Sequence, residues 1–294
     1  MSTKRSGMVS IIGRPNVGKS TLINAFVGEK VAIVAPKPQT TRTRICGVVN
    51  DGGTQIVFID TPGFHKPRTA LGEYMTEAVK SSVNDVDCVL LVVEPDPNVG
   101  TQEKLLLERV KHLPCVLVIN KADTIKDKKE LLEVIAAYQN EREFAAIVPV
   151  SAQKHDGLDI LMEIIMPFIP EGEPLFPPDM TSDQSDEVLV SEIIREKVLR
   201  LLDKEVPHGV AVMLERLHQR EDGLVEIFAT VLCEKNSHKG IIIGKNGEQL
   251  GKIGKSARIE LERMYGEKVL LKLWVKIKEN WRDNAGVLRG LGYN

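Results

Sequence analysis

The segment Gly13-Arg14-Pro15-Asn16-Val17-Gly18-Lys19-Ser20-Thr21 carries the spacing Gly-x-x-x-x-Gly-Lys-Ser, which wraps backbone N–H groups around phosphate. Its glycines allow the tight curl, and a helix opening at Lys19 would add favourable partial charge for an anion. In such a loop Lys19 reaches the outer phosphates and the Ser20 hydroxyl ligates Mg²⁺. Downstream, Asp60-Thr61-Pro62-Gly63 offers a carboxylate that can hold the same metal, through water, and a Gly63 N–H for a γ-phosphate. Thr40, Thr41 and Thr43 lie in the polar, proline-flanked stretch 36–44, where a loop that senses the terminal phosphate would sit. Thr41 is the expected third metal ligand, with Thr40 as the alternative.

A base site is written further on. Asn120-Lys121-Ala122-Asp123 places a carboxylate, Asp123, that can accept from the N1–H and 2-amino group of guanine together. Adenine offers neither donor, and a site that hydrogen-bonds a substrate group can reject the analogue lacking it by on the order of 10⁴. Asn120 can bond the other edge of the base, and the stem of Lys121 can cover the ring face. Ser151-Ala152 can present an N–H to the guanine carbonyl oxygen. The position after the Asp60–Gly63 turn, where many related sites carry a water-orienting Gln, is Phe64, followed by His65. Slow intrinsic hydrolysis of GTP is therefore expected. Arg42 and Arg44 could stabilise charge, but the plainer reading makes them solvated side chains.

A second chemistry belongs to the C-terminal third. Lys239-Gly240-Ile-Ile-Ile243-Gly244-Lys245-Asn246-Gly247 has an apolar lead-in and a Gly-x-x-Gly turn. The turn precedes a helix-like run with Leu250 and Ile253, the pattern of a KH loop that clamps about four nucleotides of single-stranded RNA. Between residues 235 and 258 lie Lys235, Lys239, Lys245, Lys252, Lys255 and Arg258, with Glu248 opposing them. That local excess suits a phosphate backbone. Trp274 and Trp281 read as core or packing residues.

The elements that must position these residues follow from periodicity. Strand-like runs at 8–13, 44–50, 55–60, 87–94, 115–120 and 145–150 alternate with helix-like segments at 19–27, 71–83, 102–112, 128–140 and 157–168. Such alternation gives an α/β fold with a mostly parallel six-stranded sheet, whose carboxyl edges bind ligands. The proline-rich, acidic stretch 171–187 reads as a linker between residues 1–170 and 188–294. Beyond it, a helix over 187–204, strands at 210–217, 224–233 and 269–278, and two helical pieces within 237–266 predict a compact α+β domain.

The chain has 294 residues, 43% hydrophobic, with a net charge of −2, so any basic surface must be local. Cys46, Cys88, Cys115 and Cys233 are scattered, with no Cys/His cluster to suggest zinc, and fit a reducing compartment. The N-terminus lacks a signal peptide's apolar core, and no apolar run approaches the length needed to span a bilayer. A cytoplasmic location is expected.

The ordered set of motifs resembles the Era family of bacterial GTPases, within the TrmE-Era-EngA-like superfamily. The resemblance also covers Pro38-Gln39-Thr40-Thr41-Arg42, Glu192-Ile193-Ile194-Arg195-Glu196-Lys197 and Trp281-Arg282-Asp283. It implies a Ras-like P-loop domain followed by a type II KH domain, GTP and GDP as ligands with Mg²⁺, and RNA rather than DNA as the nucleic-acid partner. It further implies that a monomer binds the 3′ end of 16S rRNA and assists maturation of the 30S subunit, with peripheral membrane contact at the inner face. On the same basis Lys19, Asn16, Thr41 and Gly63 serve hydrolysis. Asn16 matches an asparagine that glutamine-lacking relatives use to hold K⁺.

Overall fold

The computed structural model describes residues 4–37, 39–63, 69–82, 85–202 and 209–293. The chain divides into two compact units, one formed by Met1–Ala32, Thr41–Lys66 and Met75–Asp183, the other by Ile33–Thr40, Pro67–Tyr74 and Gln184–Asn294.

In the first unit six strands lie in the order β2-β3-β1-β4-β5-β6. They are β1 (Arg5–Ile12), β2 (Ile45–Asp51), β3 (Thr54–Asp60), β4 (Cys88–Val93), β5 (Cys115–Ile119) and β6 (Ala146–Pro149). All pairings are parallel except β2 with β3. The central strands β4 and β5 are buried at every residue, because helices cover both faces of a parallel sheet. Alternate residues of β4 feed two cores: Cys88, Leu90 and Val92 on one face, Val89, Leu91 and Val93 on the other. The helices are α1 (Lys19–Val27), the part of α2 (Ala70–Ser81) from Met75 onward, α3 (Thr101–Arg109), α4 (Lys128–Gln139) and α5 (Leu158–Ile165). α4 starts where the Asp127 carboxylate accepts from the Lys129 N–H at 2.9 Å, a cap worth about 1 kcal/mol.

Proline-rich composition predicts a linker over 171–187, and the structure assigns most of that stretch to the first unit. Through residue 183 the segment is hydrogen-bonded into the first unit. Gln55 Oε1 accepts from the N–H groups of Leu175 and Phe176 at 2.7 and 2.8 Å, and Asp183 accepts from the Cys46 N–H at 2.9 Å. Prolines prevent the segment from building a sheet of its own, but its remaining backbone groups still complete a neighbouring edge.

In the second unit α6 (Asp186–Leu201), α7 (Asn236–Ile243) and α8 (Glu248–Tyr265) cover one face of a sheet ordered β7-β8-β9. Its strands are β7 (Ala211–Gln219), β8 (Val225–Cys233) and β9 (Val269–Ile277), with β7–β8 antiparallel and β8–β9 parallel. Strand alternation sends Ile227, Ala229 and Val231 into a core with Ile193, Ile194 and Val198 of α6 and Ile253, Ala257 and Leu261 of α8. Trp281 is fully buried and donates to the Gly209 carbonyl at 3.0 Å, as a packing residue should. Trp274 is not core: it is 43% exposed and stands edge-on to Phe228 on the opposite sheet face. A short helix, α9 (Ala285–Gly290), follows.

Candidate nucleotide and nucleic-acid sites

β1 ends at Ile12 and α1 begins at Lys19, so the glycine-rich loop sits at the carboxyl edge of the sheet. Lys19 is buried, and its Nζ donates to the carbonyls of Gly13 and Arg14 at 3.1 and 3.0 Å. Burial lowers its pKa to about 8, opposed by the nearby Asp60 carboxylate. Gly18 has φ +99°, and a Cβ there would lie 2.1 Å from Asn120 Nδ2. Only glycine fits that approach. Arg14 is ion-paired with Glu103 of α3, a carboxylate almost fully buried.

Three oxygen-bearing side chains converge beside Lys19. Ser20 Oγ donates to Asp60 Oδ2 at 2.6 Å, Ser20 Oγ and Thr41 Oγ1 are 2.9 Å apart, and Thr41 Oγ1 donates to Asp60 Oδ2 at 3.4 Å. Burial pushes the Asp60 carboxyl above its usual range, against the pull of Lys19 and the two hydroxyls. Its Oδ1 is buried with no hydrogen-bond partner among the described residues. Two hydroxyls and a carboxylate with an unused buried oxygen are a hard-donor set that fits Mg²⁺. Thr40 turns elsewhere, its hydroxyl donating to the Lys37 carbonyl at 2.6 Å. Of the two threonines between which the sequence leaves the choice, Thr41 is the one whose hydroxyl reaches Ser20 and Asp60.

Thr61 donates to the Ile11 carbonyl at 3.0 Å, tying its turn to β1. A Cβ on Gly63 would meet Pro15 Cγ at 2.7 Å and its Cα at 2.8 Å, so the two phosphate-facing loops touch through glycine. Phe64 and His65 lie outside the described residues. Arg42 departs from the solvated reading and is 2% exposed. Arg44 is exposed, as expected.

At the base site Asn120 is buried, and its side chain braces the loops around it. Nδ2 donates to the Val17 carbonyl at 2.8 Å and Oδ1 accepts from the Ala152 N–H at 3.1 Å. Asn120 thus joins three loops through its side chain, and its amide keeps a second N–H beyond the bond to Val17. Lys121, at φ +62°, donates to the Asn16 carbonyl at 2.9 Å and pairs with Glu94. Asp123 lies 3.3 Å from Lys154 Nζ, and hydrogen bonding from Ser151, then Lys154, holds its carboxyl below the usual range. A carboxylate ionised at neutral pH is what guanine's two donors require. Asn16 sits exposed on the rim with φ +67°.

Glu94, Glu103 and Lys154 are supporting residues absent from the sequence reading. Glu94 follows the end of β4, a strand edge that could have marked it. Nothing local marks Glu103 or Lys154.

In the second unit Gly244 (φ +74°) precedes, and Gly247 (φ +82°) ends, a 3₁₀ turn of Lys245–Gly247 between α7 and α8. A cavity of about 430 Å³ opens beside it, lined by Gly247, Leu250, Gly251, Gly254, Lys255 and Arg258, with Leu271 and Leu273 of β9. Of the residues expected to touch RNA, Gly247 and Lys255 line it. Lys239, Gly240 and Ile243 belong to α7, Gly244, Lys245 and Asn246 to the turn, and Lys252 to the exposed side of α8. The leucines of β9 carry no motif and were not foreseen.

Among the described residues no helix is long and apolar enough to cross a membrane, and all four cysteines are free and buried.

The family model described as 50S ribosome-binding GTPase matches residues 8–121, and that of the KH domain matches 205–282. GTPase Era of Ruminiclostridium cellulolyticum is 49% identical over 98% of this chain and 97% of its own length. GTPase Era of Clostridioides difficile is 48% identical over 99% of both. A crystal structure of Era in complex with MgGDPNP and nucleotides 1506–1542 of 16S ribosomal RNA superposes with a TM-score of 0.94, at 39% identity and 99% coverage of each chain. An Aquifex aeolicus Era variant bound to GDP·AlF4⁻ gives the same TM-score at 38% identity, covering 98% of this chain and 99% of its own.

Proposed function

The chain belongs to the Era family of GTPases, and from that premise we propose a GTP-driven switch that binds the 3′ end of 16S rRNA and assists maturation of the 30S subunit. The convergence of Ser20, Thr41 and Asp60 carries this reading, because it makes a loop threonine a partner of the phosphate site. Those three residues would hold Mg²⁺, which when bound neutralises charge on the outer phosphates. Lys19 would exchange the Gly13 and Arg14 carbonyls for phosphate oxygens, and the Gly63 N–H would meet the γ-phosphate. Asp123 selects guanine, while Asn120 keeps the loops around the base in register. With Phe64 in the place of a water-orienting Gln, intrinsic turnover is slow, of the order of 10⁻⁴ to 10⁻² s⁻¹.

Asn16, exposed on the rim with its carbonyl held by Lys121, is our candidate for a K⁺ ligand. Equal hydrolysis rates in potassium and sodium buffers would remove it. For RNA, the cavity beside Gly244–Gly247 offers an apolar floor and a cationic rim, which suits a single strand held by shape and backbone charge. Such a protein works in the cytoplasm as a monomer, with any membrane contact peripheral.

The test is RNA affinity measured with GDP and with a non-hydrolysable GTP analogue. Different affinities support the switch, and equal ones refute it. Crosslinking to total RNA should enrich the small-subunit 3′ terminus, and enrichment elsewhere would undo the ribosomal assignment.

A further inference from the structure

The run Glu192-Ile193-Ile194-Arg195-Glu196-Lys197 on α6 belongs to neither site, yet three of its charged residues are buried: Arg195 is 1%, Glu196 0% and Lys197 5% exposed. Burying an ion costs several kcal/mol unless it is paired, so the partners of these groups indicate their use. Some of the pairing is internal. Arg195 Nε donates to Glu192 Oε1 at 2.7 Å, and Lys197 Nζ bridges Glu196 Oε2, at 2.5 Å, and Glu260 of α8.

The rest is aimed at the backbone of 33–40, a segment of the same compact unit. Glu196 Oε1 accepts from the Val34 N–H at 2.9 Å. Arg200 donates through Nε and Nη2 to the Val34 carbonyl at 2.9 and 2.7 Å. Arg195 Nη2 donates to the Thr40 carbonyl. Both ends of the segment are thereby clamped by charge-assisted hydrogen bonds, the stronger kind. The clamped carbonyl of Thr40 belongs to the peptide bond whose nitrogen is that of Thr41.

We propose that Arg195, Glu196 and Arg200 are positioning residues for Thr41. They fix the peptide that carries its hydroxyl, and so set how readily that hydroxyl joins Ser20 and Asp60 around magnesium when triphosphate is bound. The inference rests on the GTPase reading of the phosphate site but not on the RNA reading. A cluster serving stability alone would be matched by apolar side chains of similar volume. Here the charges are spent on main-chain groups on both sides of a loop that ends one residue before a metal ligand. Thr41 has work to do only with triphosphate, so loosening the clamp should weaken the triphosphate complex selectively.

The test uses the full chain and reads binding as well as turnover. A fluorescent non-hydrolysable GTP analogue and labelled GDP are titrated across Mg²⁺ concentrations for wild type, Arg195→Ala, Arg195→Lys and Arg200→Ala. Arg195→Ala should raise the Mg²⁺ requirement for the analogue roughly tenfold, the worth of one hydrogen bond to a charged group. Arg195→Lys should recover part of the loss. GDP affinity should stay within about twofold. Arg200 is half-exposed, so its variant should fold even if Arg195→Ala does not, and it should move the same requirement severalfold. An unchanged Mg²⁺ requirement in a variant that melts like wild type overturns the proposal. So does a parallel loss of GDP and analogue affinity, which would make the cluster a general scaffold. A wild-type protein that fails to bind the analogue at all would instead sink the GTPase reading itself.

Discussion

At the nucleotide site the buried polar groups already hold one another, whereas the cavity beside α8 offers glycines, leucines and exposed cations. Lys19 rests on two carbonyls, Ser20 on Asp60, and Asn120 between Val17 and Ala152. A ligand that draws Lys19 away from its two carbonyls must offer it equally good acceptors, since an unpaired buried group costs about 1–3 kcal/mol. Along α8, Lys252, Lys255 and Arg258 are exposed, so their charges need no partner within the protein. Under the proposed function, the contrast assigns selectivity to the first region and salt-sensitive affinity to the second.

The largest effect expected from breaking this contrast is at Asp123. Asp123→Asn should reduce the preference for GDP over ADP by on the order of 10⁴, read by titration calorimetry. Because Ser151 and Lys154 hold the carboxyl below its ordinary value of 3.8, it stays ionised throughout pH 5 to 8. The wild-type preference should therefore be flat over that window. A preference that decays on acidification toward pH 5 would show that another group does the selecting.

Next in size, Lys19→Ala removes the buried ammonium and should weaken GDP binding by roughly a hundredfold. If RNA binding survives unchanged and is still sensitive to nucleotide, the first region is not the control point.

Gly254→Leu sharpens the other side of the comparison. A Cβ there meets Leu273 Cδ1 at an ordinary 3.7 Å, so the fold tolerates it while the side chain fills the cavity. RNA affinity should drop roughly tenfold, the loss of one seated base, with GDP affinity as internal control. The smallest effect belongs to Lys255→Ala. It should cost severalfold in RNA affinity and lower the salt slope by about one, as a single phosphate contact does. An unchanged slope would mean that Lys255 points its charge elsewhere.

Legibility followed the same divide. The phosphate and base motifs could be read residue by residue because they combine fixed spacing with strand-to-helix turns, and the structure gathers them at one sheet edge. Within that set the bracing role of Asn120 was not legible: the sequence names an amide that can bond a base, and folding also ties it to Val17 and Ala152. Arg42 failed for a related reason, since nothing local says that a polar loop residue will be covered. In the second unit the glycine turn was visible, but part of the cavity wall comes from Leu271 and Leu273, ordinary alternating residues of β9. The docking of 171–183 was missed because proline content reports what a segment cannot build, not what it can complete.

Residue order alone determined the chemistry available, namely a glycine-rich loop of phosphate-binding spacing, a carboxylate able to accept from guanine's two donors, a basic glycine turn and the strand-helix alternation that displays them. These are local facts, fixed by backbone freedom, charge and hydrophobic period. Tertiary structure alone decided which hydroxyl of the Thr40–Thr41 pair faces Asp60, which amide becomes a strut, and where the buried charges of α6 are spent. Those outcomes depend on groups brought together from distant parts of the chain, where the need to satisfy every desolvated donor and acceptor selects one arrangement among many.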